Sequence, residues 1–202
     1  MKDECLIVLG MHSTLPAVNT VCIGADRGAL YLAQQGIRMK AAIGDFDSVS
    51  SEEKDLIRSM CDEMLELNPI KDDTDSEEAI TYAVKAGYSR ILVYGGFGGR
   101  MDHTLINLKL AEKYTGAVYL LDEHNEISAQ GSGIYQYKGS EYRYFSILAL
   151  DDSVISLGGM KYPLDHRRIT TEDLYTTSNE IIAETGTLTV HSGKVLVIRS
   201  ND

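Results

Sequence analysis

The sequence lacks the features of a membrane or nucleic-acid-binding protein. Its longest apolar runs, such as residues 5–9 and 146–150, are far shorter than the roughly 20 residues that a membrane helix needs. The N-terminus is acidic and passes straight into a strand-like run, so we expect no signal peptide. The net charge is −11 and no run of Lys and Arg is long enough to form a basic patch, which argues against binding to nucleic acid or an anionic membrane.

Cysteine is scarce and carries no pattern. Cys5, Cys22 and Cys61 are odd in number, scattered and without CxxC spacing. This favours reduced thiols in a cytoplasmic protein, mostly in the core, over disulfides or a structural zinc site. Internal repeats and low-complexity linkers are also absent. The 202 residues, of which 44% are hydrophobic, suffice for one large or two small globular domains.

Two kinds of pattern divide the chain. Over residues 1–122, short apolar strands alternate with helices of about ten to fifteen residues, which predicts a mostly parallel sheet with helices on both faces. Over residues 123–202, glycines punctuate short runs rich in β-branched and aromatic residues, which predicts a small β-sandwich. Residues 191–194 are typical of a hairpin turn within it. We therefore predict an α/β domain at 1–122 and an all-β domain at 123–202.

Three polar clusters each follow a strand and precede a helix: residues 45–47, 71–75 and 95–102. Because ligands of parallel sheets bind outside the carboxyl ends of the strands, we expect these clusters along one edge of the sheet. If Asp45 and Asp47 stay near-extended, their carboxylates project to the same side and can share one Mg²⁺. In the competing interpretation, Asp47 or Ser48, and likewise Asp73 and Asp75, only cap helices.

The third cluster combines glycines with a cation. Residues 95–99 hold four glycines in five positions, followed by Arg100 and a helix start at Asp102. Glycines let backbone N–H groups approach an anion, and a guanidinium binds phosphate oxygens in bidentate fashion. The P-loop spacing is absent, and a flexible turn is the competing interpretation. Acids on two loops and an arginine on a third predict a site for phosphoryl or pyrophosphoryl transfer.

Six short motifs are spread over nearly the whole chain. They are GADRGA at 24–29, IGDFDS at 43–48, KDDTD at 71–75, GGRMDHT at 98–104, GMKYPL at 159–164 and TSNE at 177–180. In this order and at these intervals they closely resemble those of thiamine pyrophosphokinase. The resemblance implies an enzyme that uses Mg²⁺ and transfers the β,γ-diphosphate of ATP to the hydroxyethyl oxygen of thiamine, giving thiamine diphosphate and AMP. It also implies an α/β catalytic domain, a thiamine-binding β-sandwich and a homodimer with sites between subunits.

The resemblance further implies roles for individual residues. The acids that handle Mg²⁺ and phosphate are expected to be Asp45, Asp47 and Asp75. The ATP site is expected to include Asp26, Asp73, Thr74, Gly98, Gly99, Arg100 and Asp102, of which Arg100 and Asp102 also act in catalysis. Either Asp75 or Asp102 orients the attacking alcohol. The thiamine pocket is expected to include Ser178 and Asn179, presented to the catalytic domain of the neighbouring subunit.

Two departures from the family pattern concern the substrates. Arg27 replaces what is usually a small residue between Asp26 and Gly28, and it either adds a phosphate contact or narrows the nucleotide site. The sequence has no tryptophan to stack on the thiazolium ring, which leaves that role to a tyrosine.

Two other functions compete with this one. A Mg²⁺-dependent nucleotidyl or nucleotide-sugar transferase could use Asp45 and Asp47, but it leaves the motif at 98–104 and the C-terminal motifs unexplained. A non-catalytic thiamine or nucleotide sensor could keep the fold, although the intact acids and Arg100 argue against it.

Overall fold

The structure is a computed structural model that describes residues 2–10, 15, 19–68, 73–98 and 100–202. Gly99 of the predicted site, and Lys71 and Asp72 of the second cluster, lie outside these residues. The chain forms two compact units. The first consists of Met1–Leu110 and Ala117–Glu123, and the second of Ala111–Gly116 and His124–Asp202.

The first unit is built on six strands: β1 (Lys2–Val8), β2 (Val21–Ala25), β3 (Met39–Gly44), β4 (Cys61–Glu66), β5 (Tyr88–Tyr94) and β6 (Val118–Leu121). All are parallel, in the order β4-β3-β2-β1-β5-β6. Three consecutive residues of β1, Leu6, Ile7 and Val8, are buried. Successive side chains of a strand point to opposite faces, so both faces of the sheet are covered, as its continuous apolar runs predict.

Within the described residues, four helices connect these strands: α1 (Arg27–Gln34), α2 (Ser51–Ser59), α3 (Asp75–Lys85) and α4 (Met101–Lys113). The start of α2 follows a local sequence signal. Ser50 and Glu53 form a capping box, in which each side chain accepts the other residue's backbone N–H, at 3.2 Å and 2.8 Å. No helix in the described part of the chain is long and apolar enough to cross a membrane.

The strand order places a crevice beside β1. From β1 the chain runs outward through β2, β3 and β4, and β5 then returns to the other side of β1. Loops that follow neighbouring strands on the two sides of such a reversal diverge and leave room for a ligand at the carboxyl edge. The loops after β3, β4 and β5 carry the three polar clusters, so the fold brings them to this edge as predicted.

The second unit contains seven strands: β7 (Asn125–Gln130), β8 (Gly133–Lys138), β9 (Tyr144–Ala149), β10 (Ser153–Gly158), β11 (Leu164–Ile169), β12 (Thr185–Ser192) and β13 (Val195–Ser200). They form two antiparallel groups, β7-β13-β9 and β11-β10-β12-β8. One apolar cluster joins both groups, for example Ile147 and Val197 with Ile155 and Leu188. The predicted fold class, a mostly parallel α/β sheet followed by a β-sandwich, is confirmed.

The predicted hairpin at residues 191–194 is wrong. A turn does occur there and Gly193 has a φ of 81°, but β12 and β13 pair in different groups of strands. The segment therefore crosses from one layer of the sandwich to the other.

A buried ion pair ties together the strands of the second unit. The Arg199 guanidinium donates to the carboxylate of Glu126 at 2.6 Å and 2.9 Å, and to that of Glu141 at 2.7 Å. The side chains of Arg199 and Glu126 are only 7% and 8% exposed, so neither charge is well hydrated on its own. Each depends on the other for its solvation.

Candidate active site

A cleft of about 650 Å³ lies at the carboxyl edge of the first unit. The predicted site residues that line it are Asp26, Asp45, Asp73, Thr74, Asp75, Gly98 and Arg100. They come from the loops that follow β2, β3, β4 and β5. Of the predicted residues that the structure describes in this unit, Asp47 and Asp102 are not among those lining the cleft. Sequence motifs as far apart as residues 26 and 100 thus meet at one concave surface.

Asp26 connects two of these loops. It precedes α1 with a φ of 52°, and its half-buried carboxylate accepts the backbone N–H of Phe46 at 3.3 Å. Burial raises the pKa of Asp26, and the charges of Asp75 and Asp45 raise it further, while the hydrogen bond from Phe46 opposes them. Asp47 adds a smaller charge effect in the same direction. The three neighbouring carboxylates therefore each disfavour the charged form of Asp26.

The loop after β3 is not extended. Phe46 has a φ of 53°, so the condition under which the carboxylates of Asp45 and Asp47 would project to the same side is not met. The backbone N–H of Asp47 instead donates to the carboxylate of Asp45 at 3.1 Å. The Phe46 side chain is 3% exposed and belongs to the core cluster that includes residues of α1 and α2. Asp45 faces the cleft, and Asp47 lies close enough for its charge to act on Asp26.

The loop before α3 combines capping with cleft lining. Thr74 accepts the N–H of Glu77 at 3.2 Å and shares a 2.9 Å hydrogen bond with the hydroxyl of Ser76. The cap of α3 is therefore the Thr74 hydroxyl, whereas the competing interpretation assigned that role to Asp73 and Asp75. Asp73 and Asp75, on either side of it, line the cleft at the positive end of the helix dipole.

A buried amide holds the glycine-rich loop. Gly95 and Gly98 have φ values of 82° and 80°, a conformation that glycine adopts at little cost. Between them, the carbonyl of Gly96 accepts a hydrogen bond from the Asn107 side chain at 2.9 Å. Asn107 lies on α4 and is only 4% exposed. This amide fixes the loop to the helix that follows it.

Arg100 is already paired. Its guanidinium donates to both carboxylate oxygens of Asp102, at 3.1 Å and 2.5 Å. The pair lowers the pKa of Asp102 to about 2, and the N–H of His103, donated at 3.0 Å, acts in the same direction. An acid with such a pKa is a poor proton acceptor near neutral pH. Asp102 is therefore suited to positioning Arg100 rather than to taking a proton.

The donors of the cleft fit a magnesium ion held partly by substrate. Among the described residues, no group of three or more His, Cys, Asp or Glu side chains forms a ready metal site. Magnesium needs no such closed set, because it is usually bound by one or two carboxylates together with phosphate oxygens and water. The pKa of Asp26, raised partly by three neighbouring aspartates, is the sign of negative charge that a cation would balance.

The predicted thiamine residues lie in the second unit and differ in their surroundings. Asn179 is 5% exposed, and its side chain accepts the N–H groups of Tyr162 and Glu180 and donates to the carbonyl of Tyr162, all at 2.9–3.0 Å. It lines a small pocket of about 50 Å³ together with the rings of Tyr162 and Tyr175. Ser178 is not among the residues that line this pocket, and its N–H donates to the Ser146 hydroxyl at 2.9 Å.

Several residues of the cleft were not predicted as site residues from the sequence. They are Arg27, Ser48, Ser76, His103 and Asn107. Arg27 is a departure from the family pattern, and His103 lies in the motif at 98–104. Asn107 interrupts an otherwise apolar stretch of α4, and a polar residue at a buried helical position is the one signal that could have identified it.

This fold and cleft define a two-part enzyme of phosphoryl or diphosphoryl transfer: acids and a glycine-rich loop at the edge of a parallel sheet, followed by a β-sandwich. Two family models match the chain, "Thiamin pyrophosphokinase, catalytic domain" over residues 14–119 and "Thiamin pyrophosphokinase, vitamin B1 binding domain" over residues 133–195. The chain belongs to the thiamin pyrophosphokinase family, and it is an enzyme.

Individual relatives agree with the family models over the full length. The thiamine pyrophosphokinase of Bacillus subtilis (strain 168) is 33% identical over 214 residues, covering 100% of both chains. The crystal structure of the Bacillus subtilis thiamine pyrophosphokinase has a TM-score of 0.88 at 31% identity, with 100% of both chains covered. A thiamin pyrophosphokinase family protein from Enterococcus faecalis has a TM-score of 0.87 at 28% identity, covering 98% of this chain and 99% of the other. These findings do not favour the transferase and sensor alternatives.

Proposed function

We propose that the carboxyl-edge cleft of the first unit is where this enzyme transfers the diphosphate of ATP to thiamine. ATP-dependent formation of thiamine diphosphate is the activity of the family to which the chain belongs. One observation supports the location above all others. Four aspartates and two arginines, supplied by loops after four different strands, line a single cleft at the edge where parallel sheets bind ligands.

The proposed roles combine what the family resemblance implies with the surroundings of each residue. Asp45, Asp47 and Asp75 hold Mg²⁺ together with the phosphates, and Mg²⁺ supplies charge neutralisation of the transferring group. The glycine-rich loop and Arg100 draw negative charge from the diphosphate, with Asp102 keeping the guanidinium in place. Asp26, Asp73 and Thr74 complete the nucleotide site.

Asp75 is the better candidate for orienting the thiamine hydroxyl. Of the two acids that the sequence left open, Asp102 is bound on both oxygens by Arg100 and has a pKa of about 2. Asp75 lines the cleft and sits at the start of α3. A carboxylate there can accept a hydrogen bond from the alcohol and aim its oxygen in line with the β-phosphorus, after which AMP leaves.

The second unit is proposed to bind thiamine, and the active form is proposed to be a homodimer with sites between subunits. Tyr162 and Tyr175 are 60% and 51% exposed beside Asn179, so an aromatic ring is at hand to stack on thiamine in the absence of tryptophan. Large exposed apolar residues on this unit, such as Leu174 and Ile182, support an interface. The three buried cysteines carry free thiols, which supports a cytoplasmic location.

A coupled product assay tests the reaction. Purified protein is incubated with ATP, thiamine and Mg²⁺, and AMP and thiamine diphosphate are quantified together by chromatography. Equal amounts of both products, lost when Mg²⁺ is omitted, are expected. Formation of ADP with thiamine monophosphate would mean that the enzyme transfers one phosphoryl group and not the diphosphate.

Matched aspartate variants test the site. Asp45→Asn, Asp47→Asn and Asp75→Asn are each expected to reduce turnover by about 100-fold or more, as loss of a preorganised charged group at a transferring centre does. Asp62→Asn is the control, because Asp62 is an exposed acid of the same unit that pairs with Arg38 and Lys40 away from the cleft. Equal activity in all four variants would remove the cleft from the mechanism. Sedimentation at twice the 22.3 kDa chain mass tests the dimer.

A further inference from the structure

The two arginine side chains that line the cleft differ in their hydrogen-bonding partners. Arg100 is bound on two nitrogens by Asp102. Arg27, the first residue of α1, has an exposed side chain and makes no ion pair or hydrogen bond within the part of the chain that the structure describes. An arginine that lies beside an acidic cleft without a carboxylate partner has all five donors available to a ligand.

The backbone beneath Arg27 is closely packed. A Cβ atom added at Gly28 would lie 2.0 Å from the carbonyl oxygen of Val8, so the first turn of α1 presses directly on the end of β1. On its other side, the carboxylate of Asp26 is bound by the N–H of Phe46. The backbone at Arg27 is therefore held in place by its neighbours on both sides. Because the backbone is already ordered, less conformational entropy is lost when the Arg27 side chain binds a ligand.

The charges that line the cleft indicate a role for Arg27 in binding an anion. The lining carries four aspartates and two arginines, and one of those arginines is neutralised by Asp102. A triphosphate entering this cleft meets net negative charge, which a metal ion only partly offsets. We propose that Arg27 binds phosphate oxygens of ATP through its guanidinium fork and so contributes to the enzyme's affinity for the triphosphate. This inference rests on the function proposed above.

Steady-state kinetics of three variants test it: Arg27→Gln, Arg27→Lys and the control Arg38→Gln. Arg38 is a matched control because it is an exposed arginine of the same unit that precedes β3, at the opposite end of the strands from the cleft. In Arg27→Gln the KM for ATP is expected to rise about tenfold, the size of one hydrogen-bonded contact to a charged group. The KM for thiamine is expected to stay within about twofold, and Arg27→Lys to recover only part of the loss because an ammonium lacks the fork.

Three results would overturn the inference. They are an unchanged KM for ATP in Arg27→Gln, full recovery in Arg27→Lys, and a parallel rise in the KM values for ATP and thiamine. Calorimetric binding of ATP with Mg²⁺ to wild type and Arg27→Gln separates this inference from the proposed function. If the wild type formed no thiamine diphosphate, the proposed function would fail, yet an affinity for ATP that fell with Arg27→Gln would still support the phosphate contact.

Discussion

Replacing Asn107 by alanine tests whether the glycine-rich loop is held in place by a single buried amide. The Asn107 side chain donates to the Gly96 carbonyl at 2.9 Å, and both residues are buried. Alanine leaves that carbonyl without its donor, and an unsatisfied buried acceptor costs about 1–3 kcal/mol. Both residues also line the cleft, so water can replace part of the lost hydrogen bond. We therefore expect the free energy of unfolding to fall by about 1–2 kcal/mol, the lower part of that range.

The same change is expected to act on ATP. A loop released from α4 must be reordered when the nucleotide binds, so the KM for ATP should rise by a factor of about 5–30, the equivalent of 1–2 kcal/mol. Asn107→Asp should be worse, because it sets a carboxylate oxygen against the Gly96 carbonyl. Leu105→Ala is the control, since Leu105 lies on the same helix and is 58% exposed.

Urea unfolding followed by circular dichroism gives the stability, and initial rates at varied ATP and thiamine give the two KM values. A change below about 0.5 kcal/mol in Asn107→Ala, the range of ordinary surface substitutions, together with an unchanged KM for ATP, would refute the reasoning. A loss of stability that left the KM for ATP untouched would leave Asn107 as a core residue with no part in positioning the loop.

Three further substitutions probe the site and its supports. Asp102→Asn removes the ion pair with Arg100. Because that pair lowers the pKa of Asp102 to about 2, the carboxylate stabilises the wild type above pH 4 and loses this effect as the pH falls towards 2. Acid unfolding curves of the variant and the wild type should therefore converge near pH 2. Gly28→Ala should lower the free energy of unfolding by about 1–3 kcal/mol, because the added methyl group would meet the carbonyl oxygen of the last residue of β1. Gly158→Ala is the control, because a Cβ atom there has open space around it. Equal urea midpoints for the two variants would contradict the prediction. Arg199→Met should lower the free energy of unfolding by about 3–5 kcal/mol, because it leaves the buried Glu126 carboxylate without this ion-pair partner. A decrease of less than about 1 kcal/mol in urea unfolding would show that water hydrates the Glu126 charge.

The location of the cleft follows from patterns that are local in the sequence. Alternating strands and helices identify a parallel sheet, and every loop that follows a strand of such a sheet must lie at its carboxyl edge. Asp45, Asp75 and Arg100 could therefore be assigned to one site without knowledge of the strand order. Their side-chain partners could not, because the pairing of Arg100 with Asp102 depends on how the loop turns before α4.

Two local conformations could not be read from the sequence. The run 45–47 carries no glycine that would indicate a positive φ, yet Phe46 is left-handed and its buried side chain belongs to the core cluster that includes residues of α1 and α2. Residues 191–194 do contain the glycine of a turn. Turn chemistry predicts a change of direction but not which strands pair afterwards, so a hairpin was expected where the chain in fact crosses between layers.

The two unusual backbone conformations of the cleft support each other. Asp26 and Phe46, with φ values of 52° and 53°, each adopt a conformation that costs on the order of 1–3 kcal/mol in a non-glycine residue. The hydrogen bond from the Phe46 N–H to the Asp26 carboxylate links them, and Gly44 leaves room for it, since a Cβ there would lie 3.0 Å from that carboxylate. The pair therefore holds Asp26 beside acids that repel its charge before any ligand binds. This arrangement destabilises the protein without ligand, and binding of a cation would relieve the repulsion. A site preorganised for a cation and its phosphates is expected to behave in this way.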